Sequence, residues 1–91
     1  MNNNYGEYAL IFKALSDATR LEILEMIKSK ELCACHILKR FNITQPTLSY
    51  HMKILKDGGI INCTKKGSWM HYSLNDEKIK DIEAFLISLQ K

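Results

Sequence analysis

The sequence predicts a mainly α-helical domain with one β-hairpin, a winged helix-turn-helix of about five helices and two strands. Three observations lead to this prediction. Two short helical segments joined by a turn lie between Glu31 and Lys56, two strand-like segments follow them, and apolar helical stripes lie near both ends. Two helices joined by a turn, the second polar on its outer face, are typical of helix-turn-helix proteins. Ninety-one residues make a single domain, 1–91.

The first helix is predicted over Tyr5–Leu15, where apolar residues cover more than one face. A helix that is apolar over so wide an arc is buried on several sides, and in a chain this short we expect a partner subunit to cover it. The second helix follows within the motif LSDATRLEIL, with Ser16 as its predicted N-cap. The prediction places Arg20 and the other charged side chains of this helix on the solvent side.

The second helix of the helix-turn-helix begins at Thr44, whose hydroxyl can cap the free backbone N–H groups of the first turn. Pro46 lies in that turn, where its fixed φ suits a helix. Leu48, Met52 and Leu55 recur at helical spacing and make one face apolar. The polar face is predicted to meet base edges and phosphates of DNA. Its DNA-facing residues are Gln45, Thr47, Ser49, Tyr50, His51 and Lys53.

The two strands are predicted over 60–64 and 69–74, after the Asp57-Gly58-Gly59 stop signal, with a turn at 65–68 between them. A hairpin directly after a recognition helix is typical of a wing, whose Lys65 and Lys66 would lie against DNA phosphates. The alternative is a solubilising turn with both charges in water. The last helix is predicted after Asn75 or Asp76, and its apolar stripe could pair with the first helix across a two-fold axis.

Composition narrows the class of protein without identifying it. A formal charge of +3 is compatible with nucleic-acid binding but does not require it. No apolar run approaches the roughly 18–20 residues of a transmembrane helix, and the polar N-terminus shows no signal peptide. We therefore expect a cytoplasmic protein whose cysteines stay reduced and form no disulfide framework.

A cysteine pair, Cys33 and Cys35, stands at the head of the first helix of the helix-turn-helix. Soft thiolates select ions such as arsenic, antimony, cadmium, lead or copper(I). Residues i and i+2 of a regular helix point to nearly opposite sides, because each residue turns by about 100°. Either the pair lies in an irregular lead-in, or ion binding unwinds the first turn and strains the recognition helix. Cys63, on the first wing strand, is expected to pack rather than to ligate.

The motifs LSDATRLEIL, ELCACHI, TQPTLSYHMKILKDGGII and WMHYSLN together resemble the ArsR family (ArsR/SmtB) of metal-sensing bacterial repressors, most of all the arsenical-resistance repressors. The resemblance implies a homodimer that binds double-stranded operator DNA without a cofactor and releases it when As(III) or Sb(III) binds. It implies Cys33 and Cys35 as the metalloid thiols, and Gln45, Ser49 and His51 as recognition-helix positions.

Two positions differ from the family pattern. Leu38 stands where a third cysteine is usual, and His36 replaces the aspartate after the second cysteine. The third ligand could therefore be His36, an external thiol, water or a cysteine from elsewhere. A redox-sensing or a cadmium- or lead-sensing repressor of the same fold is the alternative function. An enzyme is not expected, because the chain shows neither a nucleophile–base constellation nor a phosphate-binding glycine loop.

Overall fold

The computed structural model describes residues 4–90. Five helices and three strands are seen in this part of the chain: α1 (Tyr5–Ala14), α2 (Ala18–Ile27), β1 (Leu32–Cys33), α3 (Ala34–Arg40), α4 (Gln45–Asp57), β2 (Ile61–Lys66), β3 (Trp69–Leu74) and α5 (Asp76–Ser88). The strands form one antiparallel sheet in the order β1–β3–β2. The predicted winged helix-turn-helix is confirmed, with one strand more than predicted. Among residues 4–90, no helix has the length and apolar character needed to cross a membrane.

Helices α3 and α4 form the helix-turn-helix. The Thr44 hydroxyl caps α4 by accepting a hydrogen bond from the Thr47 amide at 3.3 Å, and Pro46 lies in the first turn, as predicted. The inner face of α4 packs into a core to which all five helices contribute. The core side chains are Ile11, Ala14, Ile23, Ile27, Ile37, Leu48, Met52, Ile54, Leu55, Ile60, Ile61, Tyr72 and Ile82.

The C-terminal end of α4 lies directly against α1. Gly59 has a φ of 73°, the left-handed conformation that ends a helix, so the predicted stop signal is confirmed. Gly58 is needed for a different reason. A Cβ at Gly58 would lie 3.0 Å from the Leu10 carbonyl oxygen and 3.3 Å from the Ala14 Cβ. The two helices can approach this closely only because the position carries no side chain.

The wing is the hairpin of β2 and β3. The first strand runs two residues past its predicted end, so that only Gly67 and Ser68 form the turn, while the second strand has its predicted bounds. Gly67 has a φ of 64° at the first central position, as a two-residue type II′ hairpin requires. The unpredicted strand β1 pairs with the other edge of β3, where Leu32 faces Tyr72 and Cys33 faces His71. The segment before α3 is therefore part of the wing sheet.

The start of α2 differs from the prediction. Asp17, not Ser16, is the N-cap, and its carboxylate accepts a hydrogen bond from the Arg20 amide at 3.1 Å. The Ser16 hydroxyl instead donates to the Lys13 carbonyl at 2.7 Å. The predicted exposure of Arg20 is also wrong, because its side chain is turned toward α1 and α4 and the residue is only 6% exposed.

The terminal helices α1 and α5 pack side by side. The rings of Tyr8 and Phe85 stack with centroids 4.6 Å apart. Asn75 caps α5 by accepting a hydrogen bond from the Lys78 amide, and its side-chain amide donates to the Gly59 carbonyl at 3.0 Å. Large apolar side chains of both helices remain exposed: Tyr5, Leu10, Phe12, Leu86 and Ile87, with Leu89 just beyond α5.

Candidate functional site

The cysteine pair lies where β1 becomes α3. Cys33 is the last residue of the strand and the N-cap of the helix, with extended backbone angles (φ −74°, ψ 146°), while Cys35 is the second residue of α3. The Cys33 sulfur accepts a hydrogen bond from the Cys35 amide at 3.1 Å. Cys33 therefore lies in the lead-in to the helix and Cys35 in its first turn, an arrangement between the two predicted alternatives.

The two sulfurs are joined as a disulfide, with Cα atoms 5.3 Å apart. The expectation that the cysteines form no disulfide is therefore wrong for this structure. The bond shows that this backbone brings both sulfurs to one point. The sulfurs can meet because the backbone of Cys33 is extended. In a regular helix, the side chains of residues i and i+2 would point to nearly opposite sides.

His36 completes a cluster of three donors. One ligand atom each from Cys33, Cys35 and His36 lies within 4.8 Å of the others. The cluster runs from the buried Cys33 through the half-buried Cys35 to the exposed His36. Once the disulfide is reduced, two thiolates and one imidazole nitrogen form a soft to borderline donor set, which suits thiophilic ions rather than magnesium or calcium.

The segment that carries the pair is tied to the wing at two points. Cys33 pairs with His71 in the sheet. Just before it, the Glu31 carboxylate lies 2.5 Å from the Lys66 ammonium and 3.8 Å from the His71 ring. The hydrogen bond from Lys66 holds the pKa of Glu31 below its ordinary value. The segment that carries the pair is therefore in direct contact with the wing.

The outer face of α4 is polar and open to solvent. Tyr50 is 60% exposed, and Gln45, Thr47, Ser49 and Lys53 are exposed beside it. Lys53 forms an ion pair with Asp57 on the same helix at 2.8 Å. On the wing, Lys65 and Lys66 are both exposed, and Lys66 is the one paired with Glu31. The structure thus brings five of the six predicted helix residues to one exposed face.

His51 is the exception. Its side chain is only 12% exposed, and its Nδ1 atom lies 3.0 Å from a terminal guanidinium nitrogen of Arg20. The structure thus places the His51 ring at the edge of the core and not on the open face of α4. The spacing does contain the signal, because His51 lies three residues after Leu48 and four before Leu55, on the edge of the apolar stripe.

Cys63 occupies a separate position on the inner side of the wing. Its partly buried side chain packs against the core, as expected. It lines a shallow cavity of about 220 Å³ between α4 and the sheet, together with Met52, Met70 and Tyr72. Burial raises the pKa of its thiol, although the charge of Lys56 acts in the opposite direction.

Comparison with known proteins identifies the group to which this architecture belongs. A profile described as "Bacterial regulatory protein, arsR family" matches residues 17–62. An arsenical resistance operon repressor of Staphylococcus aureus is 46% identical over 79 residues, which is 87% of this chain and 76% of that protein. The chain belongs to the arsR family of bacterial regulatory proteins. It is a transcriptional repressor of this family and not an enzyme.

Solved structures agree with this assignment to the arsR family. A crystal structure of an ArsR family transcriptional regulator superposes with a TM-score of 0.91 at 27% identity, covering 99% of this chain and 93% of that one. A homodimeric winged helix-turn-helix DNA-binding domain from Mycobacterium bovis has the same fold, with a TM-score of 0.76 at 21% identity and coverage of 94% and 81%.

Proposed function

We propose that this chain is a homodimeric repressor that binds operator DNA and releases it when As(III) or Sb(III) binds Cys33 and Cys35. The observation that carries the proposal is the meeting of two sulfurs at the start of α3 beside the imidazole of His36. The 46% identity to an arsenical resistance operon repressor supports the choice of ion. The proposal places the protein in the cytoplasm, where the thiols stay reduced, and requires no cofactor for DNA binding.

The chemistry of release begins with the reduced pair. Two thiols react with arsenous acid to form two As–S bonds, two water molecules leave, and arsenic stays trivalent with one hydroxyl group. An external thiol can replace that hydroxyl with loss of a third water molecule. The His36 nitrogen, which lies within 4.8 Å of both sulfurs, can replace it as hydroxide leaves and the arsenic centre becomes cationic. Because Cys33 and Cys35 already reach one point, little reorganisation of α3 is required.

The proposed DNA-binding surface combines the outer face of α4 with the wing. The hydrogen-bonding side chains exposed on α4 would read base edges. They are Gln45, Thr47, Ser49 and Tyr50. Lys53, Lys65 and Lys66 would bind phosphates. Two of these cations have carboxylate partners in the free protein, but exposed ion pairs are weak and can be exchanged for a phosphate.

The proposed coupling between the two sites runs through the wing sheet. Cys33 ends β1, and β1 is hydrogen-bonded to β3, whose residues lead directly to the wing tip. An ion that holds Cys33 and Cys35 in a different arrangement shifts β1 and with it the wing cations. To release DNA, the ion needs only a higher affinity for one of the two arrangements than for the other. A coupling free energy of about 1–3 kcal/mol would weaken DNA binding by about 5–150-fold.

The proposed dimer uses the outer faces of α1 and α5. Tyr5 is 63% exposed and Ile87 56%, and each of these helices carries further exposed large apolar side chains. Large apolar side chains left exposed on two terminal helices favour an interaction site. A second copy of the chain is the proposed occupant, because a two-fold dimer would place two recognition helices for two half-sites of an operator.

The experiment is a titration of fluorescently labelled duplex DNA from the region upstream of the protein's own coding sequence. Arsenite, antimonite, cadmium, zinc and peroxide are added in separate arms to the reduced protein. Arsenite should weaken binding by about 5–150-fold. The Cys33→Ser/Cys35→Ser variant should bind DNA as the wild type does and lose this response, while Cys63→Ser, the matched control, should keep it. Arsenite release that persists in the double variant would refute the proposal.

A second candidate function is redox sensing by the same pair, favoured by the bond between the two sulfurs. Two thiols would give up two electrons and two protons to peroxide, which is reduced to two water molecules while the disulfide forms. In that case peroxide alone releases the DNA, and dithiothreitol restores binding. A peroxide arm without effect removes this candidate.

A further inference from the structure

The side chain of Arg20 joins three helices. Its Nε atom donates to the Ala14 carbonyl at 2.9 Å, and one terminal nitrogen donates to the Lys13 carbonyl at 3.1 Å, both at the C-terminal end of α1. The other terminal nitrogen lies 3.0 Å from His51 Nδ1 on α4. Because Arg20 is only 6% exposed and belongs to α2, this one guanidinium links α1, α2 and the recognition helix.

The chemistry of this contact determines the proton position on His51. A guanidinium group only donates hydrogen bonds, so Nδ1 must be the acceptor. The ring is then neutral, with its proton on Nε2. The carboxylate of Asp17 is the other charged group facing the ring, but it lies 3.9 Å from Nδ1 and accepts from the Arg20 amide instead. Asp17 therefore leaves Nδ1 free for Arg20.

We propose that His51 is a positioning residue, held by Arg20 as the Nε2-protonated tautomer, and that this contact fixes the recognition helix α4 against α1 and α2. The inference rests on the proposed function, since it concerns affinity for operator DNA. It assigns the Nδ1 side of the ring to the interior of the protein. Base and phosphate contacts are left to the exposed side chains of α4 and the wing.

Two substitutions at position 51 separate positioning from direct DNA contact. Asparagine can place its carbonyl oxygen near the position of Nδ1, so His51→Asn keeps an acceptor for Arg20. Glutamine places its polar group near the position of Nε2, so His51→Gln keeps an outward donor and loses the acceptor. We expect His51→Asn to bind operator DNA within about threefold of the wild type, and His51→Gln to bind roughly tenfold more weakly because a hydrogen bond to a charged group is lost.

Circular dichroism and thermal unfolding establish that both variants are folded at the temperature of the DNA measurement. A reversed order of affinities would show that His51 contacts DNA directly and would overturn the proposal. Equal DNA affinities of the two variants, whether unchanged from the wild type or equally reduced, would also overturn the proposal. Removing Arg20 provides an additional check in a double-mutant cycle. Arg20→Met should weaken the DNA binding of the His51→Gln variant by less than it weakens the DNA binding of the wild type.

A measurement on the free protein keeps this inference distinct from the proposed function. Long-range ¹⁵N–¹H correlation spectra of labelled wild-type protein at pH 8 should show the His51 ring as the Nε2–H tautomer. Wild-type protein that fails to bind any upstream DNA would end the proposed function, but the spectrum would still decide the Arg20–His51 contact. A proton on Nδ1 would refute that contact whatever the DNA result.

Discussion

The close packing of α4 on α1 makes Gly58→Ala an informative perturbation of the recognition helix. The backbone at Gly58 has a φ of −75°, which alanine adopts without strain, so helix propensity alone would favour the substitution by up to about 1 kcal/mol. The new Cβ, however, would lie 3.0 Å from the Leu10 carbonyl oxygen and 3.3 Å from the Ala14 Cβ. The first of these atoms belongs to the backbone of a helix and cannot rotate away. Overpacking of this kind costs about 1–3 kcal/mol.

The overpacking cost exceeds the propensity gain, so we expect a net loss of about 1–2 kcal/mol in the free energy of unfolding. Urea denaturation at a fixed protomer concentration measures it, because the stability of a dimer depends on concentration. Gly6→Ala, in α1, is the matched control. A Cβ at Gly6 would meet nothing within 4 Å, so this substitution should not lower the free energy of unfolding. Equal unfolding midpoints for the two variants would show that α1 does not seat the end of α4 in this way.

Three further predictions concern the wing, the terminal helices and the dimer. Asn75→Ala removes the α5 cap and the hydrogen bond to the Gly59 carbonyl, and should lower the free energy of unfolding in urea by about 1–2 kcal/mol. Burial raises the pKa of the Cys63 thiol, so less thiolate is present at pH 7 than in free cysteine. Iodoacetamide should therefore modify Cys63 more slowly than glutathione, with a rate that still rises above pH 9, and equal rates would contradict its burial. Ile87→Asp should shift the sedimenting species from dimer to monomer, whereas Lys80→Ala on the same helix should not; an unchanged dimer would exclude this face.

The sequence was sufficient for features that depend on local chemistry. The Thr44 cap, the proline in the first turn of α4 and the glycine stop all act within a few residues, and the structure confirms each of them. The apolar stripe of α4 was also correct, since Leu48, Met52 and Leu55 are all buried. Together these signals were enough to predict the helix-turn-helix and the hairpin after it.

Features that depend on distant partners were missed. Strand β1 is two residues long, too short for an alternating pattern, and it exists because Leu32 and Cys33 meet β3 nearly forty residues later. An arginine on a helix is normally exposed, and Arg20 is buried only because α1 and α4 supply three acceptors for it. The orientation of the cysteine pair likewise depends on β1, which gives Cys33 its extended backbone.

Arsenite binding and DNA binding must weaken each other reciprocally if the cysteine pair controls the release of DNA. If arsenite at the two cysteine pairs of the dimer weakens DNA binding by a given factor, then operator DNA must weaken the binding of the two arsenite ions by factors whose product equals it. Isothermal titration of the reduced protein with arsenite, alone and saturated with operator duplex, measures this. We expect both arsenite Kd values of the dimer to be higher on DNA, with the product of the two ratios equal to the factor of about 5–150 found in the DNA titration. Identical arsenite affinities in the two states would show that the cysteine pair does not control the release of DNA.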